Sequence, residues 1–355
     1  MTKDIFRKLQ QRLDQYSMGF PATASGIEIK ILEYLFSNED AALFLALSPR
    51  LETGHSVAQR MGRSEQDITD HLEDMAERGL LFRSKKQDTI KYAAIPFVHG
   101  LFEFQVKNLQ PDLADMVEQY SREGFDTAIC QSADFFLRTV PVHQSVDITQ
   151  QIANYDDALK ILKEKEIIVV TDCICRKRKE LIHQSCGKPL EACFMFGSMG
   201  QYYLDRGMGR QIDFDEAVSI MTKCREAGLV TQPATSQNPS GMCNCCGDCC
   251  GILEALNKDP RPAELVFSNH FAVVDDTTCS GCETCLDRCQ MKAIHMTEDS
   301  LAEVNLDRCI GCGLCVTTCP EDALTLMLKP AEQQRIPPAT NAEQMLRMAQ
   351  KRGIL

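Results

Sequence analysis

The sequence predicts an α+β protein in several parts. A helical first hundred residues ends in a short antiparallel hairpin; a cysteine-rich α/β middle over 101–262 is followed by a small repeated unit over 263–330 and a helical tail over 331–355. Three observations carry that expectation. Two amphipathic helix patterns between residues 55 and 78 precede a glycine and two short β-prone segments. A buried strand pattern at 167–171 lies between a helix pattern and a cysteine-rich loop. Near the C-terminus one cysteine pattern occurs twice, offset by 30 residues and flanked by alternating segments.

Composition bounds the function. At 39.8 kDa and 44% hydrophobic residues the chain can bury two or three cores. A net charge of -12 gives nucleic acid and anionic membrane no general attraction, so DNA binding is disfavoured. No run approaches the roughly 18 apolar residues of a membrane span, and the charged first turns are unlike a secretory signal. A cytoplasmic protein without membrane insertion is expected. In a reducing cytosol, 19 cysteines point to metal rather than to disulfides.

In the first part, Val57 and Met61 mark one helix, Gly62-Arg63-Ser64 a turn, and Ile68, Leu72 and Met75 a second helix before Gly79 and the hairpin. This is the order of a winged helix, a fold that often reads DNA. The second helix, however, carries Glu65, Asp67, Asp70, Glu73, Asp74 and Glu77 against Arg78 alone. Such a face repels phosphate, so a protein-contact or structural role is expected. Amphipathic helices follow from about residue 111 to 124.

The middle begins with a short helix, then the strand at 167–171, whose end delivers Cys173 and Cys175; ligands commonly cluster at such ends. Cys186 and Cys193 come next. Asp213 and Glu216 read as a variant capping box for a helix over about 214–227, with Gly228 just past it. A Pro-, Ser- and Asn-rich loop then enters "GMCNCCGDCC", which holds Cys243, Cys245, Cys246, Cys249 and Cys250. Free core thiols are scattered, as Cys130 and Cys224 are, and five within eight residues have no core explanation. The nine cysteines of the two loops therefore read as ligands of at least one metal centre, iron–sulfur in first place and zinc as the rival. The run Arg176 to Lys179 faces such a centre, where cations stabilise its reduced form, or docks an acidic partner, or is a solvated face.

The repeated unit is chemically the most specific. "CSGCETCLDRCQ" from Cys279 and "CIGCGLCVTTCP" from Cys309 share the spacing C-x2-C-x2-C-x3-C. Three thiolates from one tight turn suit three irons of a cubane, and a fourth, carried further on, suits the neighbouring cluster. The unit resembles a bacterial-type ferredoxin domain with two 4Fe-4S clusters, and Gln290 stands where that pattern has the proline found at Pro320. The resemblance implies Cys279, Cys282, Cys285 and Cys319 for one cluster, and Cys309, Cys312, Cys315 and Cys289 for the other. His270 and His295 fit strand or loop positions rather than ligation.

With the acidic start, "PFVHGLFEFQ", "TDCICR" and "CNCCGDCC", the chain as a whole resembles a family of 4Fe-4S ferredoxin-domain proteins of anaerobic bacteria and archaea. That resemblance implies redox work in anaerobic metabolism and names no substrate. No G-x4-G-K-[ST] motif is present and no G-x-G-x-x-G follows a strand, so neither ATP-driven chemistry nor an ordinary nicotinamide or flavin site is supported. The leading reading is single-electron transfer through two 4Fe-4S clusters and one further cysteine-ligated centre to a redox partner protein, with a homo-oligomer left open. A reductase acting on a small substrate at the middle centre, and a redox-sensing regulator, are the alternatives. In the tail, Met345, Leu346 and Met348 lie on a short helix available for packing.

Overall fold

A computed structural model describes residues 2–142 and 156–354. Residues 143–155, within the expected middle part, lie outside the described residues, as do the chain ends Met1 and Leu355. Helices Thr2–Asp14, Ile27–Leu35 and Asn38–Ala46 open the chain, followed by Gly54–Met61, Glu65–Glu77 and the antiparallel pair β1 (Phe82–Lys86) and β2 (Thr89–Ala93). The helix Glu65–Glu77 buries Ile68, Leu72 and Met75, as their spacing requires. Three of its six carboxylates are engaged in ion pairs within the chain: Glu65 with His55 at 2.7 Å, Glu73 with Arg83 at 2.8 Å and Asp74 with Arg78.

A buried charge fixes this part. Asp40 is 2% exposed; it accepts both arms of the Arg78 fork at 2.8 and 3.0 Å and lies 2.7 Å from His71. Burial alone would raise its pKa, but the bonds from Arg78, His71 and Ser37 hold the carboxyl well below the usual range. Its stabilisation is therefore present above the unfolded carboxylate value of about 4 and is lost as pH falls through the lower folded value. Asp40→Asn should lower the thermal midpoint at neutral pH by the equivalent of about 1–3 kcal/mol, towards the lower end because Arg78 is partly solvated. The difference from the parent should shrink on acidification. A midpoint unchanged at pH 7 would contradict this.

The middle is built on one sheet of β3 (Ile168–Asp172), β4 (Glu191–Phe196), β5 (Arg210–Ile212), β6 (Val230–Pro233) and β7 (Gly241–Cys245), in the order β5-β3-β4-β7-β6. Every pairing is antiparallel. The middle part is thus α+β in the strict sense, which corrects the α/β expectation. β3 and β4, which would be the first parallel pair of an α/β unit, are antiparallel neighbours with the short helix Ile174–Leu181 between them. One face of the sheet, with Val170, Phe194 and Met242, packs on the helix Phe214–Glu226. Asp213 caps that helix by accepting from the Glu216 N–H at 2.8 Å, and Gly228 follows it at φ +74°, as its signals predicted. The opposite face carries Cys193, Met195, Cys243 and Cys245 by strand alternation.

The last unit pairs β8 (His270–Val274) with β11 (Leu324–Leu328), and β9 (Ile294–Met296) with β10 (Ala302–Val304), so the alternating segments that flank the repeats form two small antiparallel ribbons. All parts share packing. A hydrophobic core runs from Phe6 through Leu253 and Leu314 to Met348. The Tyr202 hydroxyl donates to the Leu81 carbonyl at 2.9 Å and Arg206 Nε to the Ala76 carbonyl at 2.8 Å, so the middle part caps the end of the acidic helix. The helix Asn341–Lys351 buries Met348, whereas Met345 and Leu346 are 40% and 46% exposed, so only one of the three apolar residues expected to pack does so fully.

Candidate metal centres

The nine middle cysteines divide into two groups, six that line one cavity and three that meet apart from it. Strand pairing sets Cys193 of β4 opposite Cys243 of β7, and Cys245 shares the face of Cys243 two residues on. Cys173 and Cys250 are N-cap residues of the helices Ile174–Leu181 and Gly251–Lys258, and Cys175 lies in the first turn of the former. Both helix starts favour negative charge. These six thiols line one cavity, and each has its pKa moved by two of the others, which orders them as a ring Cys173, Cys175, Cys250, Cys245, Cys243, Cys193. Hydrogen bonding from their neighbours holds Cys173 and Cys243 well below the ordinary thiol value, and the other four are raised.

The expectation of two cysteine-rich loops is corrected by this placement, since most ring members belong to strands or helix starts. The ring borders a cavity whose remaining wall is mainly apolar, with Phe97, Phe102, Ile129 and Met195. His99 and Glu103, which sequence reasoning did not single out as site residues, also line it. Burial lowers the His99 pKa, but Cys243 and Glu103 beside it outweigh burial and raise the value. The only sequence trace of this wall was the segment "PFVHGLFEFQ", noted without a role.

The second group is Cys186, Cys246 and Cys249. Their three sulfurs lie within 4.8 Å of one another, with Cys186 and Cys246 at 3.9 Å. "CCGDCC" therefore alternates: Cys245 and Cys250 face the ring, while Cys246 and Cys249 between them face the triad. Arg176, 3% exposed, stands between the two groups and donates to the Asn244 carbonyl at 3.0 Å and to Cys246 Sγ at 3.8 Å. The Cys246 thiol is pulled down to about 5, first by its bond with Cys249 and then by Arg176.

The basic run is consequently no solvated face. Arg178 and Lys179 are also buried and pair with Glu118 and Glu254. The buried Nε atoms of Arg176 and Arg178 have no hydrogen-bond partner. Donors left over beside a group of thiols suit an anionic metal–sulfur group in the cavity.

In the C-terminal unit, Cys279, Cys282, Cys285 and Cys319 line one cavity. Cys289, Cys309, Cys312 and Cys315 line a second. The spacing thus brings together both sets that the resemblance implied. The backbone N–H groups of Ala293 and Ala272 donate to Cys289 Sγ at 3.2 Å and Cys309 Sγ at 3.4 Å, and such bonds favour thiolate and tune cluster potential. His270 and His295 line neither cavity; His295 pairs with Glu303 at 3.2 Å instead.

The two C-terminal sets differ in setting. Cys282 is exposed, whereas Cys289, Cys309 and Cys312 pack against the core that also holds Cys245 and Cys250. Gln290 makes the junction: the Gly247 N–H donates to its Oε1 at 2.8 Å, and Asn257 Nδ2 donates to its carbonyl at 2.9 Å. Gly247 has to be glycine there, because a Cβ would meet the Gln290 carbonyl oxygen at 2.5 Å.

Cavities walled by four cysteines in an interlocked repeat define the class of an iron–sulfur protein. Consistent with this, residues 272–326 match the family model of the 4Fe-4S dicluster domain, so an iron–sulfur segment forms the C-terminal part of the chain. No curated protein and no solved structure gives a significant match to the chain. Among the described residues no helix is long and apolar enough to cross a membrane.

Proposed function

We propose that the chain is an electron-transfer protein of anaerobic metabolism that relays single electrons from its C-terminal segment to the cysteine ring and on to a partner oxidoreductase. Two 4Fe-4S clusters in the C-terminal cavities, and a further iron–sulfur centre in the ring, supply one-electron chemistry when bound. Cys279, Cys282, Cys285 and Cys319 would hold the outer cluster near the surface, and Cys289, Cys309, Cys312 and Cys315 the inner one. The observation that carries the reading is the Gln290 junction. The residue after the inner ligand Cys289 hydrogen-bonds the loop whose flanking residues continue into ring members Cys245 and Cys250, giving a short bonded route between the two regions. The N-terminal part, winged-helix-like with its acidic helix engaged in internal ion pairs, serves protein contacts rather than DNA.

Gln290→Ala should slow reduction of the ring centre several-fold after rapid photoreduction of the C-terminal clusters, with the inner cluster's own spectrum unchanged. Equal rates in parent and variant would remove the Gln290 route. A second reading, reduction of a small substrate at the ring, is favoured by the apolar cavity beside the thiols, with His99 and Glu103 on its wall. Rapid reoxidation of the isolated reduced protein by a small molecule, without any partner protein, would favour it over the carrier.

A further inference from the structure

The ring and the triad differ in the feature that decides nuclearity. Among the described residues only Cys186, Cys246 and Cys249 bring three ligand atoms within 4.8 Å of one another. The ring thiols line their cavity without any three of them coming that close together. A single tetrahedral zinc with Zn–S bonds of about 2.3 Å places its thiolates about 3.8 Å apart. The Cys186–Cys246 separation is 3.9 Å. Ligands that cap different irons of a cubane must stand further apart, because each points at its own corner.

We propose that Cys186, Cys246 and Cys249 bind one zinc ion through three thiolates, at a site separate from the ring, with a water or other light-atom ligand in the fourth position. Cys246 and Cys249 are fully buried and Cys186 partly so, which shields the bonds while leaving one side approachable. The two halves of the site, Cys186 on one loop and Cys246 with Cys249 on the other, need not be assembled from scratch. The Lys188–Asp248 ion pair at 3.3 Å already joins the loop of Cys186 to the loop of Cys246 and Cys249. Arg176 donates to the Cys246 sulfur and offsets the net negative charge of three thiolates on a divalent ion. The ion would clamp the segment that presents Gly247 to Gln290 and sets Cys245 and Cys250 on the ring side. The site stands on its own geometry and does not require the ring to be redox-active.

Metal analysis of the full chain purified without oxygen tests this. Cys186→Ser should lower zinc from about one per chain towards zero with iron unchanged, and Cys173→Ser, in the ring, should leave zinc unchanged. Zinc-edge X-ray absorption on the unsubstituted protein should show three sulfur ligands and one oxygen or nitrogen, which needs no variant to fold. Loss of iron on Cys186→Ser, absence of zinc, or a four-sulfur zinc shell would each overturn the proposal.

Discussion

Replacing Cys243 by serine is expected to remove the iron bound in the middle part, together with its paramagnetic signal, while leaving the two C-terminal clusters in place. Cys243 sits at the meeting point of the ring: it faces Cys193 across the β4–β7 pairing, shares a strand face with Cys245 and contacts His99. Its thiol is held in the thiolate range by its neighbours, so serine replaces a ready ligand by a hydroxyl that stays protonated. The C-terminal sets draw no ligand from this ring and have their own core of Ala272, Leu324 and Leu326. Iron analysis and low-temperature spectroscopy on the reduced variant read both effects. Retention of all the iron would exclude Cys243 as a ligand.

Arg176→Met should be nearly as damaging although Arg176 is itself no ligand and only donates to one, Cys246. Arg176 is buried, and burial opposes its charge; Cys173, Cys193, Cys246 and Cys245 more than restore it, so its pKa stands above the ordinary arginine value. Breaking a buried charge pairing by removal of one partner costs about 3–5 kcal/mol, because the remaining charge is left uncompensated. Outer partners of metal ligands are typically worth about 10–100-fold in metal affinity. Arg176→Met should therefore lose middle-centre metal to a chelator at about that lower affinity, and any remaining centre should have a more negative potential, since a nearby cation no longer stabilises its reduced form. Arg176→Lys keeps the charge but not the planar fork to Asn244, so partial recovery is expected. An unchanged potential in Arg176→Met would place the arginine in a purely structural role.

How far the sequence disclosed these sites follows from how local each determinant is. The C-terminal cavities were legible because the ligands of each come mainly from one turn, and the spacing of Cys279 to Cys289 and Cys309 to Cys319 sets their geometry. The first-part helices were legible for a similar reason, since periodicity states which face is buried. The division of the nine middle cysteines was not legible. It depends on β7 ending at Cys245, which turns the next residue away from the ring, and on a helix starting at Gly251, which turns Cys250 back.

The burial of Arg176, Arg178 and Lys179 was hidden because their partners are remote: Glu118 lies on another helix and Glu254 follows the second cysteine group. Strand direction was hidden too, as β3 and β4 have the composition of buried strands in either orientation. Gln290 was visible as a departure from the ferredoxin pattern, yet its use became clear only with Gly247 beside it.

The most direct measurement is iron and acid-labile sulfide per chain on protein purified without oxygen. Iron clearly above the roughly eight atoms of two four-iron clusters is expected, with matching sulfide and with the excess reducible. Iron at about eight with none in the middle part would contradict it, leaving the C-terminal segment as the whole redox apparatus and the ring without the centre assigned to it.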